Sequence, residues 1–252
     1  MKNNPIVSRE EWLESRKRLL KKEKELTRLR DELSAERRRL PWVRIDKPYV
    51  FEGPQGRRSL AELFGGASQL MTYHFMFGPS WPQGCPSCSF LADHIDGALV
   101  HLKQRDVKVM AMSRAPYSLI APFKHRMGWQ FDWVSSYGTE FNYDFQASQR
   151  PQDISNNTAY YNYELLEYPA EETHGISVFY KGAAGDVFHT YSSYARGVET
   201  LANTYNFLDM VPKGRDEDAL EFPMAWVRHH DRYDADPVAS TAAHEVPDEE
   251  TA

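Results

Sequence analysis

The sequence predicts an α/β fold with a mixed central sheet, preceded by a long helix. Three observations carry that expectation. The apolar run at 69–77, the helically spaced segment at about 86–104 and the β-rich run at 107–113 read as strand, helix, strand. Such a unit demands parallel pairing and a right-handed crossover. Residues 175–180 and 186–191, joined by the glycine-rich 181–185, read as a β-hairpin. Ahead of both, Trp12, Leu19, Leu26, Leu33 and Leu40 recur every seven residues among dense Lys, Arg and Glu. That pattern is an amphipathic helix stripe.

Composition narrows the classes. A chain of 252 residues with 41% hydrophobic and 13% aromatic content has material for one substantial packed core with decoration. Its net charge of −6 leaves no basic footprint for nucleic acid. No apolar run approaches the roughly 20 residues a membrane span needs. The opening Met1-Lys2-Asn3-Asn4-Pro5 leads into charged text rather than an apolar signal core, so the expected compartment is the cytoplasm. The expected organisation is an N-terminal helix at 1–41, an α/β domain at 42–212, and a charged extension at 213–252 that is disordered at its end.

In chain order, Ser8 opens the first helix with Glu11 as its capping-box partner, and Pro41 closes it. The helix packs on its own domain or pairs with a second copy, and a heptad stripe alone fits either. Interleaved acidic residues speak against RNA or a membrane surface, despite the basic cluster at 37–39. A short strand, a turn and a helical turn follow between 49 and 64. After the strand–helix–strand unit, residues 117–127 read as a helix stopped by Gly128, and 131–134 as an aromatic strand. Residues 137–158, with Phe141, Tyr143 and Phe145 alternating, read as an excursion from the core. A last helix is expected at 197–208.

The chemistry concentrates at Gly84-Cys85-Pro86-Ser87-Cys88, which holds both cysteines of the chain. A strand before the pair and a helix after it place the thiols at a helix N-terminus, whose unpaired N–H groups favour thiolate. Pro86 suits the first helical position, where its missing N–H costs nothing. The reading is a redox-active dithiol: Cys85, nearest the helix end, as nucleophile, and Cys88, one turn in, as the thiol that resolves the mixed disulfide. The plainer alternatives are inert buried thiols or half a zinc site. Structural zinc takes four ligands, and no second C-x-x-C or spaced histidine pair is present, so no metal or other cofactor is expected.

Secondary candidates surround the pair. His74, in the preceding strand, has the titration range for proton transfer with Cys88, while the bland reading is a hydrogen-bonded core histidine. Arg114, just after 107–113, is a candidate to hold a thiolate or peroxide oxygen, against an ordinary surface arginine. Trp81, beside the loop, is a candidate substrate lip, and so are Trp133 and Tyr137, although aromatics at this density are mostly core. His229 and His230 read as solvent-facing.

The element order, with C-P-S-C opening the first long helix, resembles the thioredoxin superfamily. Residues 75–78, Trp81-Pro82, 84–89, 133–136, 141–145 and 226–228, with the charged N-terminal helix, are similar to an uncharacterised bacterial thioredoxin-like family labelled predicted dithiol-disulfide oxidoreductases. The resemblance implies a three-layer α/β/α sandwich and thiol–disulfide chemistry at Cys85 and Cys88, with Trp81, Pro86 and His174 in contact with substrate. Where thioredoxins carry a cis-proline, this chain has Thr173-His174-Gly175, and the nearest earlier proline is Pro169. Pro82 stands where peroxiredoxins place a Thr or Ser.

Three functions follow as competing expectations. The first is a dithiol-disulfide oxidoreductase acting on a small thiol or disulfide, or on a protein disulfide. The second is a thiol-dependent peroxidase with Cys85 as the peroxidatic residue. The third is a redox-inert adaptor that binds a partner through the N-terminal helix, with a homodimer through that helix as one form.

Overall fold

In the computed structural model, residues 4–166 and 170–233 are described; Pro169 and the expected disordered tail lie outside them. The chain divides into two compact units, Met1–Trp42 and Val43–Ala252. The first is helix α1 (Arg9–Arg37), whose Ser8–Glu11 capping box is formed on both sides. None of its residues is buried, and the leucines of its stripe are exposed.

In the second unit, β1 (Val43–Arg44), β2 (Val50–Gly53), β3 (Gly56–Ser59) and helical turn α2 (Leu60–Leu63) lead to β4 (Gln69–His74). Helix α3 (Pro86–Asp96) and α4 (Leu99–Lys103) connect it to β5 (Val107–Ser113). Next come α5 (Tyr117–Arg126), β6 (Asp132–Ser135), turn α6 (Phe141–Asp144) and α7 (Pro151–Ser155). A small ribbon of β7 (Tyr160–Tyr161) and β8 (Glu164–Leu165) precedes the hairpin β9 (Gly175–Lys181) and β10 (Val187–Tyr194). A 3-10 turn, Ala195–Leu201, leads to α8 (Asn203–Leu208), and a second 3-10 turn spans His230–Arg232.

The main sheet has the order β1-β10-β9-β4-β5-β6-β2-β3. β4, β5 and β6 are parallel, whereas β9 runs antiparallel to β4 and β10 antiparallel to β9. The expected βαβ unit and hairpin therefore meet on β4, which sits at the centre and feeds the thiol helix. This is the mixed sheet of a thioredoxin-like fold.

Alternation along β4 splits the core. Tyr73 faces one side with Phe75, Cys85, Cys88, Ala111, Trp133 and Ile176. Leu70 faces the other with Met110, Met112, Phe141, Phe145 and Phe179. Two expectations change here. The helix read at 86–104 is broken at Gly97, the C-cap of α3, and resumes as α4. The stretch 137–158 is no excursion: Phe141 and Phe145 stand four apart on one helical face, and both are buried in the second cluster. Residues one turn apart mimic strand alternation when an aromatic lies between them.

Candidate functional site

The thiols sit where β4 hands over to α3. Cys85 is the N-cap of α3, and Pro86 takes the first helical position. The Cys85 N–H donates to the Met76 carbonyl at 3.0 Å, continuing the strand register into the loop. The Cys85 carbonyl accepts from the Ser89 N–H at 3.0 Å and from the Ser89 hydroxyl at 2.9 Å, which pins the first turn. Gly84 is there for space: a Cβ would lie 2.6 Å from Phe75 and 2.8 Å from Phe123.

Both cysteines are free thiols, and both are buried: Cys85 is 5% exposed and Cys88 2%. Although Cys85 stands where the loop enters the helix, the aromatic cluster around it leaves it little exposed. The two thiols are hydrogen-bonded to one another. Cys88 Sγ also accepts from the Met76 N–H at 3.4 Å and is hydrogen-bonded to the Tyr73 side chain. Burial, then the neighbouring Cys85, pushes the Cys88 thiol up, and it rests protonated. Burial pushes the Tyr73 phenol up as well, so Tyr73 is a neutral hydroxyl against the inner thiol.

His174 lies within electrostatic reach of Cys85. Its ring is hydrogen-bonded to the Ala195 backbone and burial holds its pKa down, leaving a neutral imidazole near the outer thiol. Tyr161 anchors this corner: its hydroxyl donates to the His174 carbonyl at 2.8 Å and accepts from the Ala195 N–H at 2.8 Å. Trp81 packs against the thiol cluster, over Gly78. The structure thus gathers Cys85, Cys88, Pro86, Trp81 and His174 around the start of α3.

It does not bring His74 there. One residue beyond Tyr73, His74 faces the opposite side of the sheet. Its Nε2 is 2.8 Å from the Ser177 hydroxyl, and its ring lies over Phe141 and Phe145. Burial lowers its pKa to about 3, so it stays neutral across the physiological range. The proton-transfer role expected for it with Cys88 is corrected by strand parity, and the core-histidine reading describes it. Nor is Arg114 a surface residue or a thiol ligand. Its Nε donates to buried Glu172 at 2.7 Å, and the same guanidinium bonds Tyr143.

Two contributors escaped the sequence reading. Tyr73 was legible in principle, because it shares parity with Phe75 and Phe77 whereas His74 shares it with Leu70 and Thr72. His229, expected in solvent, is instead 2% exposed, and its Nε2 donates to the Gly84 carbonyl at 2.9 Å. That contact links residues far apart in the chain and has no local signature.

Among the described residues, no group of three or more His, Cys, Asp or Glu side chains is placed to hold a metal ion, and no helix is long and apolar enough to cross a membrane. A thiol pair at the N-terminus of the helix leaving the central parallel strand, with an antiparallel hairpin on that strand's other side, defines a thioredoxin-superfamily protein. More narrowly, the chain belongs to the family described as bacterial protein of unknown function (DUF899), whose profile matches residues 1–233. No curated protein matches it. Similar solved structures include the peroxidoxin BcpB of Mycobacterium tuberculosis, at 11% identity and TM-score 0.45, over 66% of this chain and 92% of that one. Peroxiredoxin Q of Xanthomonas campestris matches at 12% identity and TM-score 0.42, over 67% and 94%. The mitochondrial 2-cys peroxiredoxin of Plasmodium falciparum matches at 10% and 0.39, over 66% and 91%. It is the strand order and the thiol placement, not these distant likenesses, that make the chain thioredoxin-like.

Proposed function

We propose that this protein is a dithiol-disulfide oxidoreductase in which Cys85 attacks and Cys88 resolves. The observation that carries the reading is the hydrogen-bonded pair of free thiols at the start of α3, with Cys85 at the N-cap and Cys88 protonated behind it. The Cys85 thiolate attacks one sulfur of a substrate disulfide, forming a mixed disulfide and expelling the first substrate thiolate. Cys88 then gives up its proton, attacks Cys85 Sγ and expels the second. The substrate gains two electrons and ends as two thiols. The protein ends with a Cys85–Cys88 disulfide, which a cellular thiol reductant returns to the dithiol. In this reading the neutral imidazole of His174, within electrostatic reach of Cys85, receives the Cys85 proton, and the Tyr73 hydroxyl stabilises charge on Cys88 as it deprotonates. Trp81 and Pro86 form the rim on which substrate rests.

A cytoplasmic setting, where thiol reductants keep such pairs reduced, fits this cycle. The exposed stripe of α1, with Leu19, Leu26 and Leu33 each more than half exposed, supports a second copy of the chain as its partner.

The test is reaction with a chromogenic aryl disulfide, followed by mass spectrometry. Unmodified protein should end as an intramolecular disulfide without adduct, Cys88→Ser should stop as an aryl adduct on Cys85, and Cys85→Ser should be unreactive. An unmodified protein that does not react, or that keeps an adduct on each cysteine, contradicts the reading. Turnover of hydrogen peroxide by Cys88→Ser with an added thiol would move the site to the peroxidase class.

A further inference from the structure

The segment after α8 returns to the thiol site by a route that the proposed chemistry does not use. Val227 is buried against Phe90 of α3, with Tyr205. His230 Nδ1 is 2.7 Å from Asp93 Oδ1, also on α3, and the same carboxylate oxygen accepts from the Trp129 indole at 2.7 Å. Between these anchors lies His229. Its ring stands edge-on to Phe123 of α5, with centroids 5.3 Å apart. Its Nε2 meets the Gly84 carbonyl at 2.9 Å, and its Nδ1 meets Arg126 Nη2 at 2.8 Å.

Those partners set the tautomer. A carbonyl can only accept and a guanidinium can only donate, so Nε2 carries the proton and Nδ1 is the acceptor. Arg126 is itself fixed, stacked over Phe123 at 4.9 Å, 3.3 Å from Asp231 and donating to Gln83 at 3.4 Å. The Gly84 carbonyl belongs to the peptide unit whose N–H is that of Cys85. That N–H donates to Met76 at 3.0 Å, so the peptide leading into the nucleophile is gripped at both ends. On one side the grip is the segment that continues from β4 at Met76, and on the other it is the C-terminal segment.

We infer that His229 is a positioning residue for Cys85, holding the Gly84–Cys85 peptide plane so that the thiol keeps its orientation at the start of α3. This inference rests on the reading of Cys85 as the nucleophile. His229 never touches the reacting sulfur; it acts through the backbone. Residues 227–232 are on this account part of the thiol site rather than a decorative extension. Loss of a single hydrogen bond of this kind corresponds to roughly a three- to tenfold change in an equilibrium or rate.

The experiment is the pH profile of Cys85 alkylation by iodoacetamide in full-length Cys88→Ser protein, with His229 intact, as Phe or as Gln. His229→Phe should slow alkylation severalfold and displace the profile along the pH axis. His229→Gln, whose amide can donate at the same reach, should restore both. A folded His229→Phe protein with an unchanged profile overturns the inference. If His229→Phe does not fold, the ring 15N shifts of the unmodified protein decide: a neutral Nε2–H tautomer at pH 7 upholds it, and an Nδ1–H tautomer or an imidazolium overturns it. A Cys85 that resists alkylation even with His229 intact would instead count against the dithiol reading itself.

Discussion

Tyr73 and His74 are neighbours on one strand, and they belong to different halves of the molecule. The Tyr73 side of the sheet carries the thiols, a phenol bonded to Cys88, and a dense aromatic wall of Phe75, Phe123 and Trp133. The His74 side carries an equally aromatic cluster, but its polar groups bond one another rather than a thiol, and His74 Nδ1 is buried without a partner among the described residues. His74 bonds Ser177, the Ser177 and Ser192 hydroxyls are 2.8 Å apart, and Ser192 lies 2.7 Å from His189. One side holds two free thiols and a phenol bonded to the inner one. The other holds a hydrogen-bond chain that ties β4, β9 and β10 together. A histidine beside a cysteine motif invites a catalytic assignment, and the pleat of the strand decides against it.

The comparison breaks most visibly under acid. His74 is neutral when folded, with a pKa lowered from 6.5 to about 3, but titrates normally once unfolded. The unfolded state therefore binds the extra proton as pH falls below 6.5. The stability tied to neutral His74 is intact above that value and is lost down to about 3. The slope should approach about 1.4 kcal/mol per pH unit within that window. Denaturant melts across the window, compared with His74→Gln, should show the slope shrink in the variant while Cys85–Cys88 disulfide formation persists. Loss of disulfide formation in a folded His74→Gln protein would erase the distinction between the two sides.

Gly84 tests the thiol side sterically. With Phe75 and Phe123 already within 2.8 Å of a Cβ at this position, Gly84→Ala must push an aromatic ring or the Cys85 peptide aside. The expected cost is about 1–3 kcal/mol in a denaturant melt, accompanied by slower Cys85 alkylation. A smaller effect is expected from Tyr73→Phe, which removes the hydroxyl at Cys88 and keeps the ring. Stability should change by about 1 kcal/mol, and the resolving step, timed from a preformed Cys85 mixed disulfide, should slow. The smallest effect on the thiols should come from deleting residues 1–40. That truncation should lower the oligomer size in light scattering and leave thiol reactivity unchanged; an unchanged size would remove α1 from the self-association reading.

Local pattern made much of this legible in sequence. The Ser8–Glu11 box, the βαβ unit and the hairpin each announce themselves within a short window, as does Pro86 behind Cys85. What stayed hidden depended on a three-dimensional register. Gly97 broke a helix whose apolar spacing continues beyond it. Phe141 and Phe145 read as part of an excursion from the core because the text around them is polar, although a single helical turn delivers both to the core. Arg114 looked like a surface cation because its partner Glu172 comes from a distant loop, and His229 looked like tail because Gly84 is remote in sequence.

The most direct measurement of the central claim is the equilibration of the purified protein in glutathione buffers of stepped potential, trapped by acid and weighed by mass spectrometry. The account predicts one reversible transition that removes two hydrogens, joins Cys85 to Cys88 and leaves no glutathione attached. A protein that stays fully reduced at every potential, or that accumulates only a glutathione adduct on a single cysteine, would contradict it.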